Sequence, residues 1–195
     1  MSTASETLRT FIALPLPEEW IRQLAETIAV LSRPLPSGVR WVSPDGIHLT
    51  LKFLGPTDSR IVPRILDAIA ENFDEASPST LALSTLGTFP SSRNPRVIWA
   101  GVSGGSESLE DLHHRAEQSV SGLGWSMDGR PFRPHLTLGR VRDQVTPRQR
   151  QAISDAVTRA RLPVIRSWRP DTVRLYRSVL TPRGARYSSL GEVQI

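Results

Sequence analysis

The chain has 195 residues, of which 38% are hydrophobic and 22% charged, a globular composition long enough to bury a core in one domain. Its 24 basic and 19 acidic residues give a formal net charge of +5, and every basic residue except Lys52 is arginine. Cysteine is absent, which excludes disulfides, thiol nucleophiles and Cys-ligated zinc, and no apolar run approaches the ~20 residues of a membrane-spanning helix.

Residues 1–7 are small and polar, with no basic stretch leading into an apolar one, so a flexible tail is expected rather than a signal peptide. A single domain over 8–195 and a cytoplasmic location follow as expectations. Leu8 to Leu14 reads as a buried strand that stops at Pro15. Pro17-Glu18-Glu19 opens a helix, with proline and acids in the first turn; Trp20, Leu24, Ile28 and Leu31 form its apolar stripe, and Pro34 and Pro36 end it. Arg40 to Val42 is extended, and Pro44-Asp45-Gly46 turns the chain into a strand starting at His48 that Gly55-Pro56 closes.

Ile61, Ile65, Ile69 and Phe73 have helical spacing, with Pro63 tolerable in the first turn. Thr80 to Phe89 and Arg96 to Val102 read as a hairpin, and Ser106 to Val120 as a helix. Pro134 favours an extended Arg133 ahead of a second strand from His135. Thr146-Pro147 caps a helix running to about Arg161. Three extended stretches follow, Pro163 to Trp168, Thr172 to Leu180 and Arg186 to Val193, with a turn at Pro182-Arg183-Gly184 between the last two.

The chemistry lies in His48-Leu49-Thr50-Leu51 and its near copy His135-Leu136-Thr137-Leu138, about half a chain apart. Strand alternation puts His48, Thr50 and Lys52 on one face and Leu49, Leu51 and Phe53 on the other, with His135 and Thr137 likewise opposite Leu136 and Leu138. Two imidazoles on facing walls of a cleft can serve as base and acid in one displacement, since an unperturbed pKa of ~6.5 lets one accept a proton while the other donates. The threonine hydroxyls can hold phosphoryl oxygens, and Arg140 can neutralise their charge. Strict alternation would turn Arg140 away from His135, so it needs a bulge at Gly139 to reach the cleft. Phe53, Phe132 and Trp41 are expected in the core, Lys52 at a solvated strand end, and the pair His113-His114 on an exposed helix surface. No HExxH motif, acidic cluster or cysteine pattern points to a metal, and no GK[ST] loop points to ATP.

Two His-x-Thr motifs at this spacing resemble the 2H phosphoesterases. With FIALPLPEE, HLTLKFLG and FRPHLTLGR in this order, nearly the whole chain resembles the bacterial and archaeal RNA 2′,3′-cyclic phosphodiesterases, or 2′-5′ RNA ligase-like proteins. The resemblance implies an α+β bilobal fold with pseudo-two-fold duplication, antiparallel sheets around a central cleft and helices outside. It implies hydrolysis of a terminal 2′,3′-cyclic phosphate to a 2′-phosphomonoester on RNA ends, with no metal and no cofactor. His48 would be the general acid, His135 the general base, and Thr50 and Thr137 would hold the phosphate. A monomer is the default, since a two-lobed core needs no partner. Rival readings are 2′-5′ phosphodiester cleavage or ligation, hydrolysis of a small cyclic nucleotide, and an RNA-binding module without turnover.

Overall fold

The computed structural model describes residues 5–195 except Pro36 and Arg183, so the helix-ending role of Pro36, the centre of the Pro182–Gly184 turn and most of the expected tail lie outside the described residues. The described end of that tail is tied down. Thr7 already belongs to β1 (Thr7–Pro15). Glu6 exchanges backbone and side-chain hydrogen bonds with Ser59 and pairs with Arg177.

The order of elements is β1, α1 (Glu18–Ser32), β2 (Val39–Trp41), β3 (His48–Asp58), α2 (Val62–Phe73), β4 (Ala82–Pro90), β5 (Pro95–Ser103), α3 (Ser106–Ser121), β6 (His135–Val141), α4 (Pro147–Arg159), β7 (Thr172–Thr181) and β8 (Gly184–Gln194). Helix stripes match their periodicity: Trp20, Leu24, Ile28 and Leu31 are buried in α1, and Ile65, Ile69 and Phe73 in α2. In α4 the Thr146 hydroxyl accepts from the Gln149 N–H while the Gln149 side chain accepts from the Thr146 N–H, a reciprocal cap that fixes where the helix starts. Pro163 to Trp168 forms no strand. Trp168 makes one isolated antiparallel bridge to Leu81, and proline at 163 removes a donor that a longer ladder would need.

All strands join one antiparallel sheet in the order β4-β5-β6-β3-β1-β7-β8, with β2 added to β6. The expected pair of sheets is therefore one path with a narrow waist. β3 and β6 meet at a single pair, Leu49 with Leu136, while β1 with β3 and β5 with β6 are paired along much of their length. One half holds β1, β3, β7 and β8 with α2 and α3; the other holds β2, β4, β5 and β6 with α1 and α4. The chain crosses between halves repeatedly, so neither half is a contiguous stretch of sequence. A single apolar core runs beneath both, with Leu49 and Leu136 wholly buried at the waist.

Candidate active site

Leu49 and Leu136 sit at corresponding places in the two motifs, so their pairing puts a local two-fold axis between them. Extending that antiparallel register by one residue each way sets His48 opposite Thr137 and Thr50 opposite His135. With both leucines in the core, all four polar side chains face the other way. They line one cleft of about 460 Å³, together with Arg140, Arg9, Phe11, Phe53, Phe89 and Tyr187.

Each imidazole is oriented by its own backbone. The His48 Nδ1–H donates to the Gly46 carbonyl at 2.8 Å, and the His135 Nδ1–H donates to the Arg133 carbonyl at 2.7 Å. A carbonyl can only accept, so the proton is on Nδ1 in both rings and Nε2 is the nitrogen left for a ligand. The Pro44–Gly46 3₁₀ turn presents the Gly46 carbonyl, and the extended residue before Pro134 presents that of Arg133.

The two histidines have unequal surroundings. His48 stacks on Phe11 at 4.5 Å, meets the edge of Tyr187 at 5.0 Å and lies near Tyr176 at 5.7 Å. Burial in this aromatic box is the main cause that lowers its pKa to about 4; the Gly46 carbonyl opposes the shift and the charge of His135 adds to it. His135 meets one ring, the edge of Phe89 at 5.1 Å. Burial raises the Tyr187 phenol while Arg140 and Arg9 pull it back, so the hydroxyl stays protonated at neutral pH.

Two matching bulges decide what else reaches the cleft. Along β3, Ile12 pairs with Lys52 but Ala13 with Thr50, which leaves Leu51 unpaired. Along β6, Ile98 pairs with Gly139 but Trp99 with Thr137, which leaves Leu138 unpaired. Each motif therefore slips by one residue three positions after its histidine, and the residues just beyond change face; β3 slips once more at Leu54, between the pairs Phe11–Phe53 and Thr10–Gly55. In β6 the slip turns Arg140 into the cleft, as the required bulge would, and puts Gly139 against β2. A Cβ on Gly139 would stand 2.7 Å from Val39 Cγ1 and 2.9 Å from Trp41 Cε3, so glycine is what lets β2 lie this close.

In β3 the same slip overturns two expectations. Lys52 leaves the histidine face for the interior, where its side chain is 3% exposed. Its ammonium donates to Glu117 Oε1 at 2.7 Å and to the Ser126 carbonyl at 2.8 Å, with Asp128 Oδ1 at 3.2 Å. Phe53, expected in the core, takes the place that Arg140 has in β6 and stands 60% exposed on the cleft wall. The strand also runs on past Gly55, which accepts φ 71° there, to end at Asp58. Trp41 and Phe132 pack against the core as expected.

His113 departs from the expected helix surface as well, while His114 is exposed. The His113 Nδ1–H donates to the Leu51 carbonyl at 2.8 Å, and the ring stacks on Phe132 at 4.3 Å. It thus satisfies the carbonyl of the unpaired bulge residue. Glu117 completes the arrangement by accepting the Asp128 N–H at 2.6 Å. Burial pushes its carboxyl up, but Lys52 and that N–H outweigh burial and hold it below the usual carboxylate range. Arg9, Phe11 and Tyr187 were not singled out from sequence, although alternation along β1 puts Arg9 and Phe11 on one face. Among the described residues no group of three His, Cys, Asp or Glu side chains could hold a metal ion.

A sheet pinched at its centre, with one His-x-Thr strand from each half on a shared cleft, is the architecture of a two-histidine phosphoesterase. The chain belongs to the 2′-5′ RNA ligase superfamily, whose model matches residues 17–180. It is 30% identical to an RNA 2′,3′-cyclic phosphodiesterase of Methanothermobacter thermautotrophicus over 94% of this chain and 96% of that one. It is also 30% identical to an RNA 2′,3′-cyclic phosphodiesterase of Thermotoga maritima, covering 96% and 95%. Among solved structures, a Thermus thermophilus protein superposes with a TM-score of 0.76 at 28% identity, covering 96% and 97%. E. coli LigT complexed with 3′-AMP gives 0.74 at 26%, covering 97% and 99%.

Proposed function

We propose that this chain is an RNA 2′,3′-cyclic phosphodiesterase that opens a terminal 2′,3′-cyclic phosphate to a 2′-phosphomonoester. The observation that carries the reading is the pair of imidazoles on one cleft, each with Nδ1–H tied to a backbone carbonyl and Nε2 left for a ligand. His135 acts as base and takes a proton from water as the water oxygen bonds to phosphorus. The bond from phosphorus to the 3′ oxygen breaks, and His48 gives its Nε2 proton to that oxygen. Thr50 and Thr137 donate hydrogen bonds to the non-bridging oxygens, and Arg140 balances their charge. Side chains supply every proton and every countercharge in this sequence, so no step calls on a metal.

The low pKa of His48 gives the acid role a condition. Before substrate binds, His48 is neutral at pH 7. An anionic phosphate beside it supplies the opposite charge that favours its protonated form. Substrate and proton are therefore taken up together. One chain holds both histidines, so a monomer acting on RNA ends suffices for the reaction; the location proposed for it is the cytoplasm.

The test is product analysis. An RNA oligomer ending in a 2′,3′-cyclic phosphate should be converted to a 2′-phosphate end, and faster than a 2′-5′-linked dinucleotide is cleaved. A 3′-phosphate product would reverse the assignment of the leaving oxygen. Preferential cleavage of the 2′-5′ linkage would replace the proposed substrate.

A further inference from the structure

The cleft opens beside a second cavity of about 400 Å³ lined by Arg40, Arg140, Val141, Arg142, Asp143 and Gln144. Arg140 lines both spaces. Arg40 in β2 and Arg140 in β6 are direct partners across the antiparallel ladder, so their side chains leave the sheet on the same face. Arg142 lies two residues beyond Arg140 and continues the β2 pairing through its N–H to the Gly38 carbonyl at 3.0 Å.

Like charges directly opposite on neighbouring strands repel, and folded proteins usually relieve this with a carboxylate. Here none of the three guanidiniums makes an ion pair among the described residues. Arg60, Arg115, Arg174 and Arg177 each do. Asp143 is the one carboxylate lining the cavity, outnumbered by three cations. The cavity thus has excess positive charge, fixed to the backbone of two paired strands, and shares Arg140 with the cleft where a reacting phosphate would lie.

We propose that Arg40 and Arg142 form a phosphate-binding subsite for the internucleotide phosphates next to the reacting end, so that the site prefers an RNA chain over a cyclic mononucleotide. The inference rests on the cleft reading above and adds which residues hold the RNA chain beyond its reacting end. Guanidinium suits this task because its planar fork grips a phosphate through two hydrogen bonds and stays charged at every relevant pH. Arg140 joins the two spaces, so the terminal phosphate and its neighbour would be held by one row of cations.

The experiment compares wild type with the double variant Arg40→Gln, Arg142→Gln on two substrates. One is a nucleoside 2′,3′-cyclic phosphate with no other phosphate; the other is an RNA trinucleotide ending in the same group. The subsite predicts that kcat/KM on the trinucleotide falls about tenfold or more, while turnover of the mononucleotide is unchanged and so reports an intact fold. The dependence of log kcat/KM on log salt should also flatten by roughly one contact's worth. Equal losses on both substrates, or no loss on either, would overturn the proposal.

Binding separates failure of the subsite from failure of the cleft reading. A labelled trinucleotide with a 3′-phosphate end is titrated into both proteins at low and high salt, and anisotropy is read. If wild type turns over neither substrate, the cleft reading fails, yet weaker and less salt-sensitive binding by the double variant still supports the phosphate subsite. Equal affinity in both proteins rejects it.

Discussion

His48 is the residue on which pH dependence turns. Its aromatic box keeps the ring neutral until the pH falls to about 4, whereas the same histidine in the unfolded chain protonates near 6.5. Between those values the unfolded state binds more protons than the folded one, so stability rises with pH across that window and is lost as pH falls through it. The same ionisation appears in catalysis. His48 must carry its proton to act as the acid, so its titration gives the limb on which activity falls as pH rises; in kcat/KM, which reports the free enzyme, that limb should begin near pH 4. The limb in kcat should move upward, because the bound phosphate favours the charged ring. His48→Ala should abolish the limb and reduce the slope that a thermal melt shows between about pH 4 and 6.5. A wild-type limb near the ordinary histidine value would mean that the box does not desolvate the ring.

The bulges and the network behind them belong to the scale of the elements. Lys52 joins β3 to α3 through Glu117, and both join the loop leading to His135 through the Ser126 carbonyl and the Asp128 N–H. One buried cluster therefore ties the first motif to the approach to the second. Lys52→Met should cost about 3–5 kcal/mol, since it leaves Glu117 charged and unpaired in the interior. Pairing Lys52→Met with Glu117→Leu should recover much of that loss. Urea titration of the two variants distinguishes this network from a surface pair, which would show about 0–1 kcal/mol for either change.

How much of this could be read from sequence also turns on the bulges. The leucine–polar alternation located both strands and correctly grouped His48 with Thr50 and His135 with Thr137, because the first three residues of each motif precede the slip. Past the slip, strict alternation misplaced Lys52 and Phe53 and turned Arg140 outward. A one-residue slip is set by the partner strand and by who satisfies the freed carbonyl, here His113 for Leu51, and neither is local to the motif. A hint was present: the chain's one lysine stands between Leu51 and Phe53, in the middle of a strand. The box around His48 was hidden for a similar reason, since Phe11, Tyr176 and Tyr187 come from opposite ends of the chain.

At the scale of the whole molecule, the sheet is two halves joined at one residue pair, and each half contributes one histidine and one threonine to the common cleft. The chain threads back and forth between the halves, so neither could fold alone into a working unit. Function then depends on both halves at once, and the two motifs should fail symmetrically. The direct test is hydrolysis of an RNA oligomer ending in a 2′,3′-cyclic phosphate, in excess EDTA, by wild type, His48→Ala and His135→Ala, with circular dichroism confirming that each variant is folded. The account predicts full wild-type turnover despite the chelator and a loss of roughly 10²–10⁴ in kcat for each variant, the range expected when a general acid or base is removed. Turnover that survives the loss of either histidine, or that stops when metal is withdrawn, would contradict it.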